Sequence, residues 1–531
     1  MKTGKILDPI HGLIEITEIE EFIINQKIFG RLRKVKQNTL LNYIFPGANH
    51  TRFEHSIGVM HLAEIIFNKS NENVETTHLK GQKYNKGKEY DTLKEIINDE
   101  NIFKTTLQEL RIAALLHDVG HGPTSHKFDS FTITGNELIA LLKESKYHTD
   151  LFNDIKDYID KKELGDKKIA HELVSCIFII KIIHELKDNI YFTDYSLNII
   201  ENINVKNILK MIDPEFLPNY DISFNGKNCT DYFNSIIAGF PFDADRMDYL
   251  YRDSFYSGVK YGFFDQSRIL MSLLPVEHKG KLTLGVKSSG LDSVIRFIQS
   301  RNHLYNQVYF HKTNSATNSM LDFVFREIPK NAIFDEILTY EDLEDFYFIN
   351  GDEYFLNFTM KDKLQKHGCD IPNKGCNEND VLDELLERNL WKKTKEHRQN
   401  VILSDLELKN IKDIKDYEKN LKAKFKLLHF DSDKLTRLKE KLEAEGIFIQ
   451  ENYSENIGLK GISKSKMVLI DRDNENKTRN DWNRVNDELK FLSQTNVFIK
   501  RIYVRRTFDT AQKFIDITDK IKHYMQELGM D

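Results

Sequence analysis

Four side chains in this sequence have the makings of a ligand set for one divalent ion: His55 in RFEHS, the adjacent His117 and Asp118 in LLHDVGHG, and Asp245 in PFDADRMDYL. Two imidazoles and two carboxylates offer mixed nitrogen and oxygen donors that suit Mg, Mn, Fe, Zn, Ni or Co, with positions left for water and a substrate oxygen. Singly each residue is weak evidence, because a lone histidine on a helix is more often a capped or hydrogen-bonded core residue. The adjacent pair is different. Two strongly polar groups close an otherwise apolar helix, IAALLHDVGHG, and burying them costs on the order of several kcal/mol unless a metal or a partner satisfies them. His121, His126 and Asp129 crowd the same stretch, which points to acid–base work beside ligation, a solvated polar loop being the bland alternative. Arg52 precedes His55, Arg246 follows Asp245, and Arg301 and Lys312 flank a tyrosine-rich helix. A metal ringed by separate cations matches the charge neutralisation that an oligophosphate requires.

Helices must carry these groups. Ile57, Met60, Leu62, Ala63, Ile65 and Ile66 keep helical spacing and predict a helix with His55 in its first turn. The polar stretch from Lys69 to about Tyr90 interrupts that pattern and reads as an exposed loop or insertion. A second helix runs through Leu107, Leu110, Ile112, Ala113, Leu115 and Leu116 to His117, where Gly120, Gly122 and Pro123 stop it. Residues 130–169 are polar and helical in character, Ile177–Ile183 is a buried helical run, and amphipathic patterns recur over 245–256 and 292–321. Beyond about residue 325 the texture changes: 380–390 and 417–445 look helical, while 466–470 and 497–504 look like strands. The segment DRDNENKTRN at 471–480 reads as a disordered loop or a hairpin tip.

A chain of 531 residues, 40% hydrophobic and 30% charged, has room for two or three domains and a buried site. Its net charge of -6 gives no global cationic field for nucleic acid or acidic membrane. Cysteines at 176, 229, 369 and 376 form no CxxC pair, which fits a reduced, cytoplasmic setting. Zinc at Cys369 and Cys376 is the alternative use of two of them. No stretch approaches the roughly 18 apolar residues of a membrane helix.

Six segments occur together: DPIHG at 8–12, RLRKVKQ at 31–37, FPGANHTRFEHSIGV at 45–59, LLHDVGHGPTSHKFD at 115–129, DADRMDYLYRD at 243–253 and RNHLYNQVYFHK at 301–312. In that order they resemble the HD-domain deoxynucleotide triphosphohydrolases, the family of the animal sterile-alpha-motif and HD-domain dNTP hydrolase and its bacterial dGTPase-like relatives. The resemblance implies a mainly α fold: an all-helical HD phosphohydrolase core over 1–325, with polar insertions at about 69–90 and 130–168, and a smaller mixed α/β regulatory or oligomerisation region over 326–531. It implies hydrolysis of dGTP or of dNTPs more broadly to deoxynucleoside and inorganic triphosphate, with a divalent metal as cofactor.

Carried over by motif, His55, His117, Asp118 and Asp245 hold the metal, and His121, Asp129 and His171 form an acid–base relay. Arg52, His126, Arg246, Arg301 and Lys312 grip the phosphates. Gln37, Tyr249 and Asp253 meet the sugar 3′-OH, Tyr309 packs where a ribose 2′-OH would project, and Tyr305 joins this substrate-binding set. The resemblance further implies a homo-oligomer, dimer or tetramer, and a nucleotide effector held by Arg31, Arg33, Arg388 and Lys392.

Departures from the family pattern qualify these roles. The interval from Asp129 to His171 is long, so His148 in KYHTD competes with His171 for the relay. Asn38 stands where the animal enzyme has an apolar residue, which weakens deoxyribose selection. Asn25 and Gly30 lack the groups expected to read guanine. ERNLWKK at 387–393 is either an effector contact or an amphipathic surface helix, and Lys500, Arg501, Arg505 and Arg506 form either a solvated strand face or a nucleotide contact. Two competing functions remain: another HD phosphohydrolase acting on a signalling nucleotide or single-stranded nucleic acid, and a nucleotide-sensing module with a weak HD site.

Overall fold

The computed structural model describes residues 2–82, 90–326, 328, 332–367, 378–412, 414–426, 432–459, 465–473, 476–481 and 496–530. Cys369 and Cys376 lie outside them. The fold is mainly α, with small sheets. At its centre, Arg52–Gln82 packs against Glu100–Leu116 and Ala244–Tyr256. Val59, Leu62, Ala63, Leu110, Ile112, Leu115, Met247 and Leu250 are buried there, each large side chain contributing about 1.5–3 kcal/mol of burial.

Local chemistry sets the helix ends. Thr51 donates its N–H to Glu54 Oε1 at 2.8 Å at the start of the first helix, and Asp99 caps the second through Asn101 and Ile102. Asp243 caps the third, accepting from Arg246 N at 2.6 Å. Glycine is required where the second helix ends. A Cβ on Gly120 would lie 2.3 Å from the His171 carbonyl and from Ser175 N, so only glycine lets the His–Asp turn reach the start of the His171–Asp188 helix.

The polar stretch after Lys69 is not a loop as far as Gln82, to which the first helix runs unbroken, and its residues 83–89 lie outside the described ones. Val74 is buried with Tyr90, Leu274, Val276, Val468 and Ile470, and Asn73 Nδ2 bonds the carbonyls of Leu270 and Leu273. Partners distant in sequence thus stabilise a helix face that is weakly apolar by itself. Hairpins also interrupt the expected helical half: Lys2–Asp8 with Gly12–Thr17, the short Ser223–Phe224 with Lys227–Asn228, and Leu273–His278 with Lys281–Lys287.

In the C-terminal region, Val497–Val504 is the central strand between Lys392–Asn400 and Ile449–Asn456, all antiparallel. Of the 471–480 stretch, the described residues belong to paired strands, Val468–Asp473 with Asn476–Asp481, while 474 and 475 lie outside the described residues, and Val468–Ile470 lies parallel to Gly285–Lys287 of the N-terminal half. One apolar cluster extends from Ile14 to Tyr503 across residue 325.

ERNLWKK is neither a surface helix nor wholly exposed. The preceding helix ends at Leu386, Arg388 adopts φ 62°, Trp391 is buried against Phe323, and Lys392 opens a strand. The basic cluster is not a solvated face either. Arg501 bonds Glu396, the Phe310 carbonyl and Ser315, Arg505 bonds Glu384, and Lys500 pairs with Glu451. Arg506 alone of the four is exposed.

Candidate functional site

His55 and His117 come from the start of one central helix and the end of the next, with Asp245 in the first turn of the third. One ligand atom from each falls within 4.8 Å of the others. His55 Nε2 lies 3.1 Å from Asp245 Oδ1, and His117 Nε2 lies 3.8 Å from the same oxygen. Both Nε2 atoms are buried without a hydrogen-bond partner, a costly state that a metal ion removes. The donor set of two imidazoles and a carboxylate therefore fits a divalent metal. Asp118 stands beside this trio, 3.7 Å from His55 Nε2 and 3.5 Å from His117 Nε2, and accepts from Arg52.

The other ring nitrogens orient the ligands. His117 Nδ1 donates to the Ala114 carbonyl at 2.8 Å. His55 Nδ1 donates to Asp248 Oδ2 at 2.7 Å, and Asp248 is in turn held by His11 and Arg252. Arg252 reaches Asp8, so the DPIHG segment braces the His55 ring through Asp248. A Cβ on Gly58 would collide with Asp248 Oδ1. Burial would lower His55, yet Asp245 and Asp248 raise it to about 10.

A second cluster adjoins the first. His121 Nε2 is 3.3 Å from Asp118 Oδ1, and its ring lies beside those of His126 and His171. Asp129 Oδ2 is 3.1 Å from His171 Nδ1 and 3.5 Å from His126 Nδ1. Burial would raise Asp129, but His126 and His171 hold it at about 2. Burial would likewise lower His171, which Asp129 and Glu172 raise instead. Burial, with Arg52 and His171 nearby, keeps His121 well below the usual histidine range. The long interval before His171 is closed by pairing at its ends, where Ile169 N donates to the Ile133 carbonyl at 3.0 Å. His148 is elsewhere, held between Ser145 and the Ile177 carbonyl.

The expected substrate groups are brought together unequally. Arg301 lies over the Tyr305 ring at 4.2 Å, Tyr305 meets Tyr309 edge-on at 4.8 Å, and Arg301 interacts with Tyr249. Buried atoms of Gln37 and Arg301 have no hydrogen-bond partner. Arg52, in contrast, is committed to Asp118 and Ser125, and Arg246 to Asp243 and the Gly239 carbonyl. Asp253 already accepts from His50, Asn38 and Tyr309. His126 has 71% of its side chain exposed, and Lys312 is exposed at the start of Lys312–Arg326.

The expected effector residues divide. Arg31 does not face an effector surface: it is buried, donates to the Val119 carbonyl at 2.5 Å and lies over Tyr347. Arg33 is exposed over the Phe53 ring, Arg388 bonds the Tyr43 carbonyl at 3.0 Å, and Lys392 is exposed. Sequence reasoning missed Asp248, His11, His50 and Ser125. All four lie inside the quoted motif segments, and Asp248 also has the i, i+3 spacing from Asp245.

Residues 52–179 match the HD domain family. The uncharacterized protein MJ1154 of Methanocaldococcus jannaschii is 30% identical over 353 residues, 66% of this chain and 56% of that protein. The uncharacterized protein YwfO of Bacillus subtilis is 27% identical over 364 residues, 63% of this chain and 61% of that protein. The human deoxynucleoside triphosphate triphosphohydrolase SAMHD1 is 26% identical over 334 residues, 61% of this chain and 44% of that protein. The matches thus span less than two thirds of these relatives' own lengths. HD domains are metal-dependent, the His–Asp trio fits that dependence, and the chain, whose residues 52–179 match the HD domain, is distantly related to the deoxynucleoside triphosphate triphosphohydrolases.

Proposed function

We propose that this protein is a metal-dependent phosphohydrolase that cleaves dNTPs, dGTP or a broader set, to deoxynucleoside and inorganic triphosphate. The observation that carries the reading is the pair of buried Nε2 atoms of His55 and His117 without a hydrogen-bond partner, lying next to a histidine cluster in which His171 pairs with Asp129. His55, His117 and Asp245, with Asp118 beside them, would hold the metal, which when bound supplies Lewis acidity to a phosphoryl oxygen. Arg52 keeps Asp118 in place. Arg301 and Lys312 offer cations to the polyphosphate, and the tyrosines at 249, 305 and 309 wall the sugar side. The proton that the departing 5′-oxygen needs is stored on the His171–Asp129 pair, with His121 and His126 against it.

Assembly into a homo-oligomer and activation by a nucleotide belong to the same proposal, with the region beyond residue 325 as the regulatory part. Limiting the dNTP pool, in homeostasis or against phage, is the role such an activity would serve in the cytoplasm. One experiment tests the reaction: metal-loaded protein is incubated with each dNTP and NTP, singly and mixed, and products are resolved chromatographically. Deoxynucleoside and triphosphate in equal amounts are expected, and release of pyrophosphate or orthophosphate instead would overturn the reading.

A second reading has one observation in its favour. Asp253 has its oxygens engaged by His50, Asn38 and Tyr309, so a sugar hydroxyl must displace an existing bond. That occupancy suits a phosphodiester of a signalling nucleotide or of single-stranded nucleic acid better than strict 3′-OH recognition, and the same chromatography distinguishes the two by product.

A further inference from the structure

Asp352 belongs neither to the HD segment nor to any motif of the sequence, yet its carboxylate is spent on two loops at the site. It opens the short Asp352–Tyr354 helix and is 5% exposed. Its Oδ1 accepts from Thr124 N at 2.8 Å and its Oδ2 from Lys36 N at 2.9 Å. A Cβ on the preceding Gly351 would meet Lys34 Cβ at 2.4 Å, so the backbone here is wedged against the segment it holds.

Each loop leads directly to groups of the site. Thr124 and Ser125 have φ of 61° and 57°, a left-handed conformation that costs non-glycine residues on the order of 1 kcal/mol each and persists only when neighbours fix it. Ser125 accepts from the same Arg52 that holds Asp118, and His126 follows. On the other side Lys36 precedes Gln37, whose N–H donates to the His50 carbonyl at 3.1 Å, and His50 bonds Asp253. One carboxylate therefore sets the separation between the histidine side of the cleft and the Gln37–Asp253 side.

We propose that Asp352 is a positioning residue of the reaction, the group through which the chain beyond residue 325 fixes the Thr124–His126 turn against the Lys36–Asn38 segment so that both sides face one substrate. The assignment of chemistry to those sides rests on the proposed phosphohydrolase reading; the clamp itself rests on the two backbone bonds.

The test compares the full chain, metal-loaded, with Asp352→Asn and Asp352→Ala. Asparagine keeps the volume and one acceptor but turns an N–H toward the other amide, leaving a buried donor unsatisfied. Three readouts are taken: amide exchange over Lys36 and Thr124, bound metal, and turnover of dGTP against bis(p-nitrophenyl) phosphate. The second substrate has a leaving group that needs no proton and no sugar to position. Expected are lost protection confined to the two segments, metal retained, dGTP turnover down roughly 10-fold or more, and the activated ester slowed less than about threefold. Alanine should follow the same order more strongly. Unchanged exchange, loss of metal, or equal slowing of both substrates would overturn the positioning role. If the wild type cleaves the activated ester but no dNTP, the substrate reading fails, and the exchange pattern with retained metal still accepts or rejects Asp352 as the clamp.

Discussion

His171 lies flat against His121, with ring centroids 3.6 Å apart and planes inclined by 20°. Stacked imidazoles cannot both be cationic without strong repulsion, and their surroundings divide the charge. Asp129 favours the proton on His171, while burial and Arg52 disfavour it on His121. The surroundings thus favour a proton on His171 over one on His121.

From this division, His121→Ala is expected to keep its metal and lose roughly 100-fold in turnover, the scale of a lost acid–base group. His117→Ala should lose metal and turnover together, since it removes one of three donors. Metal analysis alongside single-turnover rates checks both; a metal-free His121→Ala protein would make His121 a ligand.

Asp248 should matter for metal affinity although it is not in the His55–His117–Asp245 trio. Its bond to His55 Nδ1 fixes the tautomer that leaves Nε2 free for an ion, and second-sphere carboxylates of this kind contribute roughly 10–100-fold in affinity. Competition titration of Asp248→Asn with a chelator is expected to show that loss while the helical far-UV signal is retained. An unaltered affinity would mean that Ala114 and Asp245 alone suffice to set the site.

Legibility in the sequence followed the range of the physics. The helices bearing His55 and His117 were readable because a dense apolar stripe is a local signal, and the strand over Val497–Val504 was readable from β-branched and aromatic residues. The continuation of the first helix past Lys69 was not, because Val74 finds its cover on Val468 and Ile470, far along the chain. Likewise the basic residues near 500 looked solvated, since Glu396 and Glu384, their partners, are distant in sequence. Ligand identities came from motif resemblance. The groups that orient them, Asp248 apart, had no periodicity to betray them.

Acid should loosen the 130–168 insertion through His148. Burial holds this ring at about 4, below its ordinary 6.5, despite the bond to the Ile177 carbonyl. The unfolded chain therefore takes up a proton before the folded one does. The contribution of neutral His148 is fully present above pH 6.5 and is lost progressively as pH falls to about 4, about 3 kcal/mol across the window. Melting temperature against pH should accordingly drop less between pH 7 and 5 in His148→Gln than in the wild type; parallel curves would exclude His148 as the source.

Arg501 is expected to act on stability and not on nucleotide binding. It is 3% exposed and joins Glu396 on the neighbouring strand to Phe310 and Ser315 beside the Lys312–Arg326 helix. Glu396 is 24% exposed and keeps Lys393 at 2.9 Å, so the cost of removing Arg501 falls mainly on the lost packing and on the Phe310 carbonyl and Ser315 hydroxyl left without their donor, about 1–3 kcal/mol. Denaturant unfolding of Arg501→Ala should show an early transition of the C-terminal sheet, with affinity for single-stranded DNA and for dNTPs unchanged. A selective loss of either affinity would restore the nucleotide-contact reading of this cluster.

Regulation by a nucleotide is the remaining prediction, and the structure narrows its site. With Arg31 buried against Val119 and Tyr347, the cations left to meet an effector's phosphates are Arg33, Arg388 and Lys392, all exposed. Arg388 bonds Tyr43, and Arg33 lies over Phe53 in the first turn of the helix that carries His55, so a ligand bridging them would load both sides of the N-terminal segment. Asn25 and Gly30 offer no acidic or amide group in the place expected to read guanine, and the effector should accordingly be a dNTP or a signalling nucleotide and not GTP. A ligand that prefers the assembled state must shift assembly and activity together. Light scattering and hydrolysis rates are therefore expected to rise in parallel with such a nucleotide in the wild type, and Arg33→Ala should abolish both responses. Full activation by GTP alone, or a rate indifferent to every added nucleotide and to protein concentration, would refute this account of control.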